Sequence, residues 1–232
     1  MKIIKDKLNE QYTLLLRYLK SGKYCKMLHI INHICDSYCM PITVYDKTYL
    51  TPYEKGPYRL DVYVNYSIVE HADRKYIAAS QPVKDNIKGF RELMKHADIT
   101  VSCISDLNYV GNPSVSIPVS FRGEILFFDE IYNEGRILRF ANWADMDVLE
   151  IDKYEFFFKY FRGLNCKYPL VHCKAGVGRT GVFIMYDILY GYTVDESTFL
   201  NILLNLRSQR NGLVYSTVQL KFLAETFIKT LL

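Results

Sequence analysis

One short segment of the chain combines a nucleophile, two glycines and a cation at spacings that suit catalysis. It runs from Pro169 to Gly181 and reads PLVHCKAGVGRTG. Cys173 ends a short apolar run that predicts a buried strand, and Arg179 follows where a helix should begin. A loop of this kind can turn its N–H groups inward as an anion nest, and the helix N-terminus adds the positive end of its dipole.

These features predict a cradle for a tetrahedral dianion with Cys173 at its base. Arg179 supplies a planar guanidinium that can bind two phosphate oxygens. The inward N–H groups would hold the remaining oxygens and would favour the thiolate form of Cys173. These N–H groups belong to Lys174, Ala175, Gly176, Val177, Gly178 and Arg179. Thr180 can hydrogen-bond the sulfur when it leaves in a second step. Phosphoryl transfer to sulfur requires such a nucleophile and anion clamp together.

The segment resembles the H-C-x₅-R-[S/T] signature of the cysteine-dependent protein phosphatases. Its form, HCKAGVGRTG, is similar to that of the classical tyrosine-specific branch. It lacks the Gly-Lys-[Ser/Thr] ending of a Walker nucleotide loop. The resemblance implies that His172 fixes the loop by hydrogen bonding and favours the thiolate, without acting as a general base. The competing interpretation is a glycine-bearing turn with an inert buried cysteine.

A second segment, FANWAD at residues 140–145, resembles the mobile Trp-Pro-Asp loop of the same family. It contains the only tryptophan of the chain, Trp143. The resemblance implies that Asp145 is the general acid, with Asp147 as a nearby rival. Ala144 stands where the family has proline, so the loop is expected to close less readily.

A third segment, Arg207 to Gln219, resembles the glutamine loop of the family. The resemblance implies that Gln219 positions the water that hydrolyses the thiophosphate intermediate. Arg207 and Arg210 are expected to brace the cradle from behind. The competing interpretation makes Gln219 an ordinary residue at the start of a helix.

A fourth segment, KGPYR at residues 55–59, resembles the phosphotyrosine-recognition loop, although two of its four motif positions differ. Tyr58 would stack on the substrate ring and set the depth of the pocket. A deep pocket admits phosphotyrosine to Cys173 and excludes the shorter phosphoserine. Further along, YIAASQP at residues 76–82 resembles a core strand of the family and is expected to be structural.

Length and composition predict one well-buried domain. The chain has 232 residues, of which 50% are hydrophobic and 23% charged, and its net charge is +4. These values exclude a disordered or collagen-like chain, and the charge is too small to indicate nucleic acid. No apolar run of about 18 residues occurs, and the N-terminus lacks the pattern of a secretory leader. We therefore expect a soluble, cytoplasmic protein. Its basic N-terminus is either a solvated helix face or a weak contact for a membrane surface or partner.

Strand and helix patterns intermix along the chain, which predicts an α/β (α+β) fold. Helices are expected over residues 1–40, 87–96, 154–162, 181–190, 194–207 and 218–231, and strands over 76–79, 99–104, 114–121, 124–128 and 167–172. The resemblance implies a single phosphatase domain over residues 1–232 with a central twisted mixed sheet flanked by helices. Residues 1–50 would form an N-terminal helical region and residues 51–232 the catalytic core.

The remaining cysteines and histidines suggest two weaker possibilities. Cys166 could form a reversible disulfide with an oxidised Cys173. His29, His33, Cys35 and Cys39 could in principle bind zinc, but they lie in a stretch that reads as one amphipathic helix. We favour partly buried helix residues and expect neither a metal nor a cofactor.

Together the motifs predict a protein tyrosine phosphatase that hydrolyses phosphotyrosine in proteins through a cysteinyl-phosphate intermediate. Two alternatives stay open. One is a catalytically impaired pseudophosphatase that still binds phosphotyrosine. The other is a phosphatase for a different ester, either a dual-specificity protein phosphatase or one for phosphoinositides or RNA 5′-phosphates. Lys174 would suit those more anionic substrates, whereas Val177 is apolar.

Overall fold

The computed structural model describes residues 2–38 and 64–229. Seven strands within these ranges form one mixed sheet in the order β1-β2-β7-β3-β6-β5-β4. Their bounds are β1 (Tyr66–His71), β2 (Arg74–Ser80), β3 (Thr100–Ser102), β4 (Val115–Phe121), β5 (Glu124–Tyr132), β6 (Gly135–Phe140) and β7 (Leu170–Cys173). The four central strands β2, β7, β3 and β6 are mutually parallel, and the outer strands pair antiparallel.

Eight α-helices accompany the sheet in the described ranges. They are α1 (Lys2–Glu10), α2 (Tyr12–Lys20), α3 (Tyr24–Tyr38), α4 (Ile87–Met94), α5 (Ile151–Gly163), α6 (Gly178–Leu189), α7 (Glu196–Gln209) and α8 (Thr217–Phe227). The predicted fold class, a single α/β domain with a mixed sheet flanked by helices, is confirmed.

Side chains of β2 alternate between the two faces of the sheet, as the period of two requires. Tyr76 and Ala78 belong to a large apolar core that includes α5 and α6. Ile77 and Ala79 belong to a smaller core on the other face, which α4 covers. The sheet is therefore buried on both faces, as parallel strands generally are.

The three N-terminal helices pack against the large core. Their buried residues in that core are Leu8, Leu15, Leu19, Met27, Leu28, Ile31 and Ile34. The Tyr12 hydroxyl donates to the Ser197 carbonyl at 3.3 Å, and Asn32 accepts from the Arg207 guanidinium at 2.5 Å. The apolar residues whose spacing predicts helices in this region are thus the residues that these helices bury.

Two strands of the sheet, β1 and β6, were not predicted, and two others, β2 and β5, are longer than predicted. β1 is short and half-exposed, so it lacks an apolar signature. β5 continues beyond the predicted end at Phe128, through Asp129 and Glu130 to Tyr132. β6 carries the partners of these carboxylates. Arg136 makes a bidentate ion pair with Asp129 and Arg139 with Glu130. A pairing across two strands of this kind is invisible in the linear sequence.

The parallel strands end at one edge of the sheet. β7 ends at Cys173, and β2 and β3 end beside it, because Ser80 pairs with Cys173 and Ser102 with His172. The loops that follow the carboxyl ends of these strands meet there, as in open α/β sheets that bind ligands at this edge.

Candidate active site

The loop from Cys173 to Arg179 connects β7 to α6 and curls under the Cys173 sulfur. Cys173 is only 3% exposed, and the Gly176 N–H donates to its Sγ at 3.2 Å. The Gln81 N–H, just after β2, donates to the carbonyls of Cys173 at 2.9 Å and Lys174 at 3.1 Å. The loop is thus anchored to the neighbouring strand. We call residues 173–179 the cradle.

Glycine is required at two positions around the cradle. Gly176 has φ +70°, and a Cβ there would lie 2.2 Å from the Ala79 carbonyl oxygen. A Cβ at Gly181, in the first turn of α6, would lie 2.2 Å from the Val214 nitrogen. Glycine at these positions allows the cradle and α6 to approach their backbone neighbours closely.

The Arg179 guanidinium connects three segments of the chain above the cradle. Its Nη1 donates to the carbonyls of Trp143 at 2.6 Å and Cys103 at 3.3 Å. Its Nη2 donates to Asp145 Oδ1 at 2.9 Å. The Nε atom is buried and has no hydrogen-bond partner among the described residues. Arg179 therefore holds the Trp143–Asp145 segment beside the cradle.

The two acidic candidates on that segment are oriented differently. Asp145 faces Arg179 and also accepts from the Met146 N–H at 3.1 Å. Asp147 turns back on its own backbone and accepts from the Val148 N–H at 2.8 Å, while its carbonyl accepts from the Trp143 indole at 3.1 Å. In this arrangement Asp145, not its rival, has its carboxylate at the cradle.

His172 lies behind the cradle in a fully buried position. Its Nε2 lies 2.6 Å from the Tyr109 hydroxyl, and the rings of Phe90 and Tyr109 meet it edge-on. Burial, opposed in part by a backbone contact with Cys173, lowers the pKa of His172 to about 3. The imidazole is therefore neutral near pH 7 and does not act as an acid there, which agrees with a role in fixing the loop.

Thr180 and Gln219, the other predicted catalytic side chains, are both buried. The Thr180 hydroxyl has no hydrogen-bond partner among the described residues. The Gln219 side chain closes a capping box at the start of α8. Its Oε1 accepts from the Ser216 N–H at 3.1 Å, and its Nε2 donates to the Asp147 carbonyl at 3.4 Å. In this conformation Gln219 thus joins α8 to the Trp143–Asp147 segment.

Of the two arginines predicted to brace the cradle, Arg210 contacts it directly, whereas Arg207 contacts a neighbouring turn. Arg210 Nε donates to the Gly176 carbonyl at 2.6 Å, and its Nη2 donates to Asn65 at 3.0 Å. Arg207 donates to the carbonyls of Leu213 at 2.7 Å and Val214 at 2.6 Å, which stabilises the turn packed on α6. Both side chains are buried.

The residues predicted to bind substrate are only partly described. In the cradle, Lys174 is exposed, Ala175 is half-buried, and Gly176, Val177 and Gly178 are buried. Tyr58 and the rest of the segment predicted as a phosphotyrosine-recognition loop lie outside the described residues.

Comparison with known proteins finds a family match in the C-terminal part of the chain. Residues 128–229 match the family model described as Protein-tyrosine phosphatase. This range contains the acidic segment, the cradle, α6, α7 and α8. Over this segment, which is less than half of the chain, the sequence is similar to the protein-tyrosine phosphatases. The resemblance predicted from the sequence is confirmed for this part of the chain.

Similar proteins and structures carry the same family name. Tyrosine-protein phosphatase non-receptor type 20 of Mus musculus is 35% identical over 100 residues, which cover 40% of this chain and 23% of that protein. Tyrosine-protein phosphatase 69D of Drosophila melanogaster is 39% identical over 80 residues, 31% of this chain and 6% of that protein. The matches thus span less than a quarter of these relatives. The crystal structure of a Trypanosoma cruzi protein tyrosine phosphatase shares the fold, with a TM-score of 0.55 and 18% identity over 72% of this chain and 71% of that one.

The cysteine beside Cys173 in this phosphatase fold is Cys103, which the sequence did not single out. Cys103 directly follows β3, and its N–H donates to the His172 carbonyl at 2.9 Å. Burial and the neighbouring Cys173 raise the pKa of Cys103 well above its usual value. Cys166 precedes β7 at the opposite end of that strand and contacts Asp98, with Sγ 3.9 Å from Oδ2. A direct Cys166–Cys173 disulfide is therefore incompatible with this fold.

Tyr109 is a second residue that sequence reasoning missed. It is one of 20 tyrosines, and only the packing of α4 against the sheet brings it to His172. Its one sequence signal is position, shortly after the predicted β3.

The zinc alternative gains no geometric support. His29 and His33 lie exposed on α3, whereas Cys39 and the Cys35 side chain lie outside the described set. Within residues 2–38 and 64–229, no group of three or more metal-type side chains comes together. In the same ranges, no helix has the length and apolar character needed to cross a bilayer.

Proposed function

We propose that this chain is a protein tyrosine phosphatase that removes phosphate from phosphotyrosine in proteins through a cysteinyl-phosphate intermediate. One observation carries the proposal: the buried Cys173 sulfur accepts a hydrogen bond from the Gly176 N–H of the cradle, and Arg179 at the end of the same cradle binds the Asp145 carboxylate. A nucleophile, an anion clamp and an acid thus converge where loops following β6 and β7 meet. The match of residues 128–229 to the protein-tyrosine phosphatase model supports the same reaction class.

In the first step, the Cys173 thiolate attacks phosphorus and the bond to the phenolic oxygen breaks. The cradle N–H groups and Arg179 hold the equatorial oxygens, which carry the charge of a loose transition state. Asp145, protonated, gives its proton to the leaving phenolate. Before this step the hydrogen bond from Arg179 Nη2 to Asp145 must break, because the bound phosphate needs that same donor. The Asp145 carboxyl group is then available to the leaving oxygen of the substrate.

In the second step, a water attacks the thiophosphate and the sulfur leaves. Asp145 now takes a proton from that water, as microscopic reversibility requires. Gln219 would orient the water after its Nε2 gives up the Asp147 carbonyl. Thr180, whose buried hydroxyl has no other partner among the described residues, would donate to the departing sulfur. His172 stays neutral and positions the cradle through Tyr109.

We extend this proposal to the whole chain as one catalytic domain, with residues 1–50 as its helical N-terminal region and 51–232 as its core. The Asn32–Arg207 hydrogen bond supports this assignment, because it joins α3 to Arg207 of α7, which in turn holds the turn at Leu213 and Val214. Tyr58 would stack on the substrate ring and restrict the pocket to phosphotyrosine.

A cytoplasmic location belongs to the same proposal, as does a weak contact of the basic N-terminal helices with a membrane surface or partner. Arg17, Lys20, Lys23 and Lys26 are exposed there, and residues 11–34 contain no Asp or Glu. Sedimentation with vesicles of anionic and neutral lipid tests the contact. Equal binding to both would contradict an electrostatic contact.

The reaction is tested by phosphate release from a phosphotyrosyl peptide, a phosphothreonyl peptide and a phosphoinositide. We expect release from the tyrosyl peptide alone, with loss in Cys173→Ser. Cys166→Ser is the matched control, because its thiol lies at the far end of β7, and it should retain activity. Release from the other esters would indicate a broader phosphatase. Binding without Cys173-dependent release would indicate a pseudophosphatase that only reads phosphotyrosine.

A further inference from the structure

Three large apolar side chains are exposed on the two loops that border the cradle. Met146 is 46% exposed, Tyr215 46% and Val218 50%. Met146 follows the proposed acid, and the other two lie at the start of α8. We call these three residues the apolar rim. Exposed apolar side chains are unremarkable when scattered, but a group beside a candidate site indicates a contact surface.

Hydrogen bonds fix the two loops of the rim to each other. The Ser216 hydroxyl donates to the Met146 carbonyl at 2.8 Å, and Gln219 reaches the Asp147 carbonyl at 3.4 Å. Met146 is held in the left-handed region at φ +63°, which costs roughly 1 kcal/mol or more for a residue other than glycine. The surrounding contacts thus impose this conformation on an exposed apolar residue next to Asp145.

The rim continues into the cradle. A Cβ built at Gly212 would meet both Val177 Cγ1 at 3.5 Å and Tyr215 Cδ2 at 3.7 Å. The Tyr215 ring and the cradle residue Val177 therefore border the same glycine. A peptide advances by at most about 3.3–3.6 Å per residue, so a residue one to three positions from the one in the cradle can reach the rim.

The charge of this surface determines which substrate side chain, next to the phosphotyrosine, can bind at the rim. Residues 142–152 carry four carboxylates and no Lys or Arg. Arg179 pairs with Asp145, Arg122 with Asp152 and Lys153 with Glu150, whereas the Asp147 carboxylate accepts from its neighbouring N–H and keeps its negative charge beside the rim. An acidic side chain at the rim would approach the Asp147 carboxylate and be repelled, whereas Asp145 is protonated in the proposed substrate complex and adds no charge. An apolar side chain would bury the exposed surface of Tyr215 and Val218 without that penalty.

We propose that the apolar rim selects phosphotyrosine substrates with an apolar side chain within three residues of the phosphorylated one, and disfavours an acidic side chain there. This inference rests on the proposed function for the residue that enters the cradle. The occupant is part of the substrate polypeptide itself.

The test compares phosphotyrosyl peptides that carry Leu, Ser or Glu at each position from three before to three after the phosphotyrosine. We expect kcat/KM to be about five- to tenfold higher for Leu than for Ser at one or more positions, and lowest for Glu there. Val218→Ser and Tyr215→Ser should each bring the Leu/Ser ratio towards one. Ile117→Ser, which changes an equally exposed apolar residue on β4, should leave the ratio unchanged.

Two further measurements separate this inference from the proposed reaction. Turnover of a small aryl phosphate, which cannot reach the rim, should be retained in all three variants. Binding of the same peptides to Cys173→Ser reports selectivity without catalysis. Turnover with no preference for Leu, or a Leu/Ser ratio unchanged in both rim variants, would contradict the selectivity proposed for the apolar rim. The proposed reaction would still stand. Leu-selective binding without turnover would overturn the reaction and leave the rim. Peptides that neither bind nor react would overturn both.

Discussion

At the scale of single residues, the Asp145 carboxylate of the free protein binds an Arg179 donor that a phosphate in the cradle would use. The Arg179 guanidinium donates to two carbonyls and to the Asp145 carboxylate, so only its Nε is left without a partner among the described residues. A phosphate that enters the cradle competes with Asp145 for Nη2. The proposed acid therefore also acts as a weak internal competitor of the substrate.

Asp145→Asn separates these two effects. The amide has no negative charge, so inorganic phosphate should bind about two- to fivefold more tightly, the range expected when an exposed ion pair worth up to about 1 kcal/mol is lost. Turnover should fall about 10²–10⁴-fold, because the amide cannot donate a proton to the phenolate. Calorimetric titration with phosphate and steady-state kinetics measure the two quantities.

Asp147→Asn is the matched control for this prediction. It makes the same charge change two residues away, where the carboxylate accepts from its neighbouring N–H. Both phosphate affinity and turnover should stay close to those of the wild type. A loss of turnover in Asp147→Asn with a normal Asp145→Asn would transfer the role of acid to Asp147.

At the scale of elements, the cradle depends on close contact between a loop and the strand beside it. Gly176 combines a left-handed φ with close contact to the backbone of β2. Of two other glycines, one has only the left-handed φ and one has neither feature. Gly191 has φ +82° with open space around it, and Gly163 has open space without a left-handed φ. These three glycines allow the cost of strain and the cost of the clash to be measured independently.

Alanine substitutions at the three glycines should therefore have graded effects on stability. Gly163→Ala is expected to leave stability unchanged or slightly raised, and Gly191→Ala to cost about 1 kcal/mol of unfolding free energy. Gly176→Ala should cost about 3 kcal/mol or more and abolish phosphate binding, because strain and clash add. Urea unfolding with phosphate titration measures both. Equal losses for Gly176→Ala and Gly191→Ala would show that β2 yields and the clash is absent.

The sequence predicts the cradle well because its determinants are local. Cys173, Gly176 and Arg179 lie within seven residues, so their spacing alone implies the loop. The contacts of Cys103 and Tyr109 with the cradle depend on strand order and on α4, and no linear pattern contains them. Gln219 shows an intermediate case. Its motif predicts the neighbourhood of the site, and the Ser216-x-x-Gln219 spacing itself fits a capping box. Its hydrogen bond to the Asp147 carbonyl depends on the fold and has no signal in the sequence.

At the scale of the whole molecule, two buried carboxylates of β5 join that strand to β6 and α5. Asp129 accepts from Arg136 and from the Tyr160 hydroxyl of α5, and Glu130 accepts from Arg139 at the end of β6. Burial alone would raise their pKa values, but these hydrogen bonds outweigh it and lower the pKa of both groups. Because the ionised forms are stabilised on folding, the unfolded chain binds protons more readily.

Stability should therefore decrease in acid. The contribution of Asp129 and Glu130 is fully present above their ordinary pKa values near 4 and is lost as pH falls through the lower pKa values of the folded protein. Asp187 opposes this trend, because burial raises its pKa, so folding favours its protonated form. His172, whose pKa burial lowers to about 3, and Asp195, whose pKa the hydrogen bond from the Thr198 N–H lowers, act in the same direction as Asp129 and Glu130. These four groups outweigh Asp187, so the unfolding free energy should begin to fall below about pH 6.5 and fall further below about pH 4.

Glu130→Gln tests this account through the slope of stability with pH. The variant should be less stable than the wild type at pH 7, where it loses the ion pair with Arg139. Below about pH 4.5 its unfolding free energy should fall less steeply, because one proton-linked group is gone. Glu124→Gln is the control, since that side chain is 78% exposed and pairs only loosely with Lys153 at 3.5 Å. Urea unfolding from pH 3 to pH 7 gives the slopes, and a Glu130→Gln slope equal to that of the wild type would remove Glu130 from the acid response.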